Sequence, residues 1–183
     1  MDKRVVIKKK DGNLIIMIKA FCDDAKQKML LLWIVLFSLC GIAIISQFFG
    51  AYDNGTKVFF GVYVAFWLFF EFKVIYAYRW RKYGLERIII DDENMILIKE
   101  IGKRGITQQV PLNEVVNLRL FESRDTDFVK LMTSSYWNIN KYTLAFDFNE
   151  TMVPFAIDLL PKSSKLILKE LKEYIKDQNK QTG

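Results

Sequence analysis

The sequence has no histidine and only two cysteines among its 183 residues. Without histidine, the chain lacks the side chain that most readily changes charge near pH 7 and the commonest metal ligand, which excludes many familiar active sites. Cys22 and Cys40 fit neither a disulfide framework nor a zinc motif, and we interpret both as small apolar or incidental residues. The sequence also has no phosphate-binding loop, dinucleotide fingerprint or nucleophile elbow, so we predict no enzyme activity, cofactor or metal.

Two long apolar stretches occupy the first half of the chain. The first, residues 29–49, carries no formal charge and would span roughly 31 Å as a helix, which matches a hydrocarbon core of about 30 Å. The second, residues 58–78, is rich in aromatic side chains and is interrupted only by Glu71 and Lys73. The connector between them is too short to hold a domain and contains turn residues. The pattern therefore predicts an antiparallel transmembrane hairpin over residues 29–78.

The basic residues beside these stretches predict the orientation of the hairpin, because cytoplasmic flanks retain Lys and Arg. Both outer flanks are basic, whereas the connector contributes only Lys57. The basic flanking residues are Lys26, Lys28, Arg79, Arg81 and Lys82. We therefore expect an integral membrane protein with two spans and both termini in the cytoplasm, and no cleavable signal peptide.

Glu71 and Lys73 lie near the cytoplasmic end of the second predicted span and allow two interpretations. If the helix leaves the lipid early, Lys73 extends toward the head groups and neither residue has a chemical role. Alternatively, Glu71 makes an intramembrane polar contact, within the hairpin or between subunits. A transport pathway would require such two-span subunits to form a homo-oligomer, so a transporter subunit is the most distant alternative.

After the second span, short runs of β-branched and aromatic residues separated by turn signals predict a β-rich cytoplasmic domain over residues 79–183. A C-terminal helix is expected over residues 162–177, where apolar residues recur at three- and four-residue spacing. Residues 1–28 contain a further candidate β-hairpin, whose pairing with the main sheet stays open. The seven expected strands of the main domain are residues 86–91, 95–100, 106–110, 116–122, 128–134, 142–148 and 152–158.

The order of these elements resembles that of bacterial membrane-anchored pleckstrin-homology-like (PH-like) domain proteins of unknown function. The shared features are an aromatic two-helix anchor, a glycine-glutamate entry to the first strand, a proline-containing segment before the fourth strand and a capping helix. The matching residues are Phe66-Trp67-Leu68, Gly84-Leu85-Glu86-Arg87-Ile88, Val110-Pro111-Leu112-Asn113-Glu114-Val115-Val116 and the helical region from Leu159 to Ile175. The resemblance implies an α+β fold with a seven-stranded β-barrel or sandwich, placed at the bacterial inner (plasma) membrane as a protein- or lipid-binding module.

The distribution of charge favours the lipid bilayer over nucleic acid as the immediate surroundings of this domain. The net charge is +6, and the excess basic residues lie near the predicted spans, whereas the chain from Tyr83 onward is nearly neutral. We therefore expect a module that binds a protein partner or organises a complex at the cytoplasmic membrane face. The alternative is a sensor of anionic lipid head groups. Its expected contacts are Arg79, Arg81, Lys82, Lys103 and Arg104.

Overall fold

The computed structural model describes residues 2–10, 12–121 and 135–181, which form an α+β fold of two long apolar helices, two antiparallel sheets and a C-terminal helix. The strands are β1 (Val5–Lys10), β2 (Asn13–Lys19), β3 (Gly84–Ile90), β4 (Asn94–Ile101), β5 (Arg104–Pro111), β6 (Val116–Leu120), β7 (Tyr142–Phe148) and β8 (Thr151–Ile157). The helices are α1 (Asp24–Gln47), α2 (Asn54–Tyr83) and α3 (Pro161–Gln181), and a short 3-10 turn (Leu112–Glu114) joins β5 to β6.

The helices α1 and α2 are long and apolar enough to cross a membrane. Only 17% of the apolar stretch of each helix is buried, whereas the core helix of a soluble protein would be mostly buried. Both helices begin earlier than expected because a carboxylate caps each one: Asp23 accepts N–H groups at the start of α1, and Asp53 does so for α2. At 30 residues, α2 is about 45 Å long. It is therefore longer than a hydrocarbon core of about 30 Å is thick.

The N-terminal hairpin joins the main sheet, although α1 and α2 separate it from that sheet in the chain. The five-stranded sheet has the order β1-β2-β3-β4-β5, and β2 pairs antiparallel with β3 so that Ile16 lies opposite Ile88. Both isoleucines are fully buried. Alternate residues of β2 and β3 face the core, as expected for strands with one buried face.

The second sheet has the order β6-β7-β8 and shares one hydrophobic core with the first sheet and α3. Phe146 and Phe155 pack edge to face at its centre, with ring centroids 5.7 Å apart, and Ile167 and Leu171 of α3 complete the core. Neither sheet closes on itself in the described part of the chain, so a seven-stranded barrel is not observed there. The expected strand 128–134 lies outside the described residues, whereas the other six expected strands are present with bounds shifted by at most two residues.

Candidate membrane-interface site

The helix α2 passes into β3 without a connecting loop. The N–H of Gly84 donates to the carbonyl oxygen of Trp80 and ends the helix. A Cβ atom at Gly84 would lie 2.4 Å from that oxygen and 2.7 Å from the Trp80 ring, so only glycine fits. The buried Trp80 ring and this tight junction fix the direction in which the sheet leaves the helix.

Arg81 is buried where α2 meets residues 135–140 and the end of β8. Its Nη1 lies 2.6 Å from Oδ2 of Asp158, and its Nε and Nη2 donate to the carbonyl oxygens of Tyr136 (3.1 Å) and Asn138 (3.2 Å). The guanidinium carbon also lies 4.8 Å from the centroid of the Tyr136 ring, a cation–π geometry. Only 1% of the Arg81 side chain is exposed. This residue, expected among the head-group contacts, therefore lies inside the protein and holds the β domain against the helices.

Tyr136 connects the same segment to α1. Its hydroxyl donates to Oε1 of Gln27 (3.1 Å) and accepts the N–H of Asp23 (3.2 Å), and Nε2 of Gln27 donates to the carbonyl oxygen of Tyr78 (3.0 Å). Burial raises the pKa of the Tyr136 hydroxyl above its usual value, which keeps it protonated as a donor. Residues 135–140 are thus attached to both long helices. No pattern in the sequence marks this segment, because it forms neither a strand nor a helix and carries no motif.

Glu86, part of the glycine-glutamate entry to β3, is a buried carboxylate that links the two sheets. Its Oε1 accepts the N–H of Ala156 (3.0 Å), and its Oε2 accepts the N–H of Ile157 (2.8 Å). Burial raises the pKa of Glu86, and the two N–H bonds and the charge of Lys99 oppose that rise. Because both of its oxygens are used by backbone amides of β8, we assign Glu86 a structural role.

The turn between β4 and β5 lies beside the cytoplasmic end of α2 predicted from the sequence. The N–H of Gly102, a residue with a φ of 67°, donates to the carbonyl oxygen of Tyr83 (3.3 Å). This contact brings Lys103 and Arg104 to the end of the helix that carries Lys82, and all three side chains are exposed. Arg79, one turn before Tyr83, is exposed as well. Four of the five expected head-group residues therefore lie exposed at one end of the domain, and Arg81 is the exception.

Glu71 faces α1, whereas Lys73 is exposed and lies beside an aromatic ring of α2. The Ser38 hydroxyl donates to Oε1 of Glu71 (2.6 Å), and 6% of Glu71 is exposed. Its second oxygen, Oε2, is buried and has no hydrogen-bond partner within the described ranges. The ammonium of Lys73 lies 4.6 Å from the centroid of the Phe69 ring, and the residue is exposed.

The same hairpin is held together by Trp67 and Gly41. The Trp67 indole N–H donates to the carbonyl oxygen of Phe37 (2.9 Å). A Cβ atom at Gly41 would lie 2.0 Å from the Trp67 ring, so the ring occupies the space that glycine leaves open. Close approach of α1 and α2 therefore depends on this pair of a small and a large residue.

Two cavities lie between the helices and residues 135–140, and Trp137 borders both of them. The larger has a volume of about 620 Å³ and the smaller about 370 Å³. None of the described residues in either lining carries a carboxylate. The larger cavity is lined by Phe69, Phe72, Lys73, Ile75, Tyr76, Arg79, Trp137, Asn138, Ile139 and Asn140. The smaller cavity is lined by Trp33, Phe37, Phe70, Val74 and Trp137.

Among the described residues, the lining of the larger cavity combines two cations, aromatic rings and amide groups. Among residues 2–10, 12–121 and 135–181, no three His, Cys, Asp or Glu side chains are grouped to hold a metal ion. No protein-family model, curated protein or solved structure matches this chain, so its function is inferred from the geometry above.

Proposed function

We propose that this chain is a PH-like binding module that two transmembrane helices hold at the cytoplasmic face of a bacterial plasma membrane, where it docks a protein partner. The observation that carries the proposal is the attachment of the β domain to its anchor through the Gly84 junction and the buried Arg81. A domain fixed in this way suits a scaffold, because its surfaces keep a constant height and direction above the bilayer. The arrangement of two sheets and a C-terminal helix is also consistent with the PH-like resemblance.

The outer edge of β5 supports a protein partner. This strand pairs only with β4, and within the described ranges no strand covers its other edge. Its residues from Arg104 to Gln109 are exposed on both faces, and 78% of Ile106 is exposed. An open edge presents unpaired N–H and C=O groups that can accept a further strand. We therefore propose that the partner contributes an extended segment, whose acidic residues would complement Lys103 and Arg104.

Cross-linking of the full-length protein in cells tests the docking proposal. A photo-reactive residue at Gln108 on β5 should give one discrete adduct with another polypeptide. That adduct should be lost when Ile106→Lys adds a charge to the edge strand, which disfavours strand addition. It should persist with Met152→Lys, which alters an exposed residue of β8. Absence of an adduct, or equal loss in the two backgrounds, would contradict strand addition at β5.

Cysteine labelling tests the proposed orientation. With Cys22 and Cys40 replaced by serine, Tyr52→Cys places a thiol in the connector between α1 and α2, and Thr107→Cys places one on β5. Both sites are exposed. In intact cells an impermeant maleimide should label the connector variant, and it should label the β5 variant only after permeabilisation. The opposite pattern would refute a cytoplasmic β domain.

Head-group sensing is a second candidate function, favoured by the exposed Arg79, Lys82, Lys103 and Arg104 at one end of the domain. Basic residues near an anionic surface contribute about 1 kcal/mol each. The first sheet includes β2, so the domain is tested within the full chain. Amides of the β4–β5 turn should exchange more slowly in nanodiscs containing phosphatidylglycerol than in phosphatidylcholine nanodiscs. Equal exchange in the two lipids, or slowing that survives Lys103→Gln/Arg104→Gln, would contradict head-group contact by this turn.

A further inference from the structure

We propose that the larger cavity binds one anionic phospholipid, with the lipid phosphate between Lys73 and Arg79. This inference rests on the proposed membrane insertion of α1 and α2, and it places a ligand site within the anchor itself. The site is separate from the β4–β5 turn and from the open edge of β5.

Two cations lie in the lining of the larger cavity. Lys73 and Arg79 are both exposed, and neither has an ion pair within the described residues. The two residues lie six positions apart on one helix, about 9 Å along its axis. They point about 120° apart around the helix, yet both line the larger cavity, so their long side chains can reach a phosphate bound in it. No described residue that lines the cavity is a carboxylate, so among these residues a bound anion would meet two cations and no competing acid.

The apolar walls indicate a lipid rather than a free phosphate. Phe69 and Phe72, which precede Lys73 on α2, also line the larger cavity. Arg79 follows Lys73, so the two phenylalanines lie farther than either cation from the predicted cytoplasmic end of the helix. Its described lining residues show that the smaller cavity is apolar and aromatic, and Trp137 lies in the lining of both cavities. An acyl chain can lie in such a space, whereas a water-soluble phosphate would leave it empty. Trp137 is 41% exposed, and tryptophan is the residue type that prefers the membrane interface.

The opposite wall of the cavity is held in place before any ligand binds. The N–H of Asn140 donates to the Asn138 side-chain oxygen (3.1 Å), and the Asn138 carbonyl accepts from the buried Arg81. The wall formed by residues 137–140 is therefore attached to α2 by the same arginine that fixes the β domain. A preformed wall lowers the entropic cost of binding. Arg81 acts here as a positioning residue, and the lipid contacts come from Lys73, Arg79 and the aromatic rings.

Native mass spectrometry of the full-length protein, released from mild detergent micelles, tests the site. The probes are phosphatidylglycerol and phosphatidylcholine of the same chain length, supplied at equal concentration. We expect preferential retention of one phosphatidylglycerol by the wild-type protein. The double variant Lys73→Gln/Arg79→Gln should lose that preference, by about fivefold for each cation removed. The matched control, Lys162→Gln/Lys165→Gln, removes the same charge from exposed residues of α3 outside the cavity and should retain the preference.

The outcomes separate this site from its alternatives. Equal retention of the two lipids, or equal loss in the two double variants, would overturn the proposal, because the binding would then reflect general surface charge. Displacement of the lipid by soluble glycerol phosphate at a similar concentration would show an anion site that needs no acyl chain, and would also overturn it. Circular dichroism confirms that each variant is folded. Native mass spectrometry does not depend on the orientation of the protein in the membrane. A negative lipid result therefore does not contradict the proposed topology, and a negative cysteine-labelling result does not change the interpretation of lipid binding.

Discussion

The buried Arg81 allows a quantitative test of how the β domain is attached to the helices. In the variant Arg81→Met, an apolar side chain of similar length replaces the guanidinium. Asp158 then loses its partner at 2.6 Å, and the carbonyl oxygens of Tyr136 and Asn138 lose their donors. Removing one partner of a buried ion pair costs about 3–5 kcal/mol. Because 27% of the Asp158 side chain is exposed, water can replace part of the loss, and we expect the lower end of that range.

The matched control is Arg119→Met. Arg119 pairs with Asp147 at 2.7 Å, and 25% of the Asp147 side chain is exposed, which is close to the value for Asp158. The arginines differ, since 44% of the Arg119 side chain is exposed against 1% for Arg81. Water can solvate both members of the Arg119 pair, so its loss should change stability much less.

Urea-induced unfolding in detergent micelles, followed by tryptophan fluorescence, measures both variants. Trp80 directly precedes Arg81 on α2, and Trp137 lies in the attached segment 135–140. The fluorescence of both residues therefore reports the environment of the Arg81 contact. For Arg81→Met we expect a lower unfolding midpoint with an unchanged dependence on urea, and faster amide exchange in residues 135–140. Equal destabilisation by the two variants, or unchanged exchange in residues 135–140, would refute the assignment of Arg81 as the main attachment.

Three further predictions concern other buried contacts. Gly41→Ala should destabilise the hairpin by about 1–3 kcal/mol, because its Cβ would overlap the Trp67 ring. The melting temperature of this variant in micelles should therefore fall. It should partly recover in the double variant Gly41→Ala/Trp67→Phe, which has a smaller ring. Gly84→Ala should displace β3 from α2, because the junction has no room for a Cβ atom. The N–H of Ala20, which donates to the Gly84 carbonyl oxygen (3.0 Å), should then exchange faster with solvent. Unchanged exchange would show that the junction accommodates a methyl group. Glu86→Gln should lower stability by about 1–3 kcal/mol, because its amide NH₂ leaves one of the N–H groups of Ala156 and Ile157 unpaired. Since the folded-state pKa of Glu86 is raised above 4.5, its stabilising contribution is full below that pH and is lost as the pH rises through the folded-state value. The stability difference between wild type and Glu86→Gln should therefore narrow as the pH rises from about 4.5, the ordinary Glu value, and a difference that widens with pH would show a depressed pKa instead.

The local elements were largely predictable from the sequence because their signals are local. The expected strand 142–148 coincides with β7, and the expected helix 162–177 lies within α3. The two apolar stretches became the two long helices, extended at their starts by the caps at Asp23 and Asp53. Alternation of apolar residues and helical spacing depend on neighbouring residues in the chain, so they can be recognised without knowledge of distant contacts.

The pairing of distant elements could not be predicted in the same way. The sequence left open whether the N-terminal hairpin joins the main sheet, and the structure pairs β2 with β3 across the two intervening helices. The strand over residues 128–134 remains a prediction. The expected barrel depended on how the sheets meet, which only the tertiary arrangement decides, and the described strands form two open sheets.

The sequence by itself determined which segments are apolar enough to enter a membrane, where the basic residues flank them and which strands and helix follow. It could not separate Arg79 from Arg81, which are the same residue type two positions apart. On a helix that spacing turns one side chain about 200° from the other. Arg79 therefore lines the larger cavity, whereas Arg81 is buried against Asp158. Only the tertiary structure, by enclosing Arg81 with Asp158 and the carbonyl oxygens of Tyr136 and Asn138, decided which arginine holds the domain and which one lines the cavity.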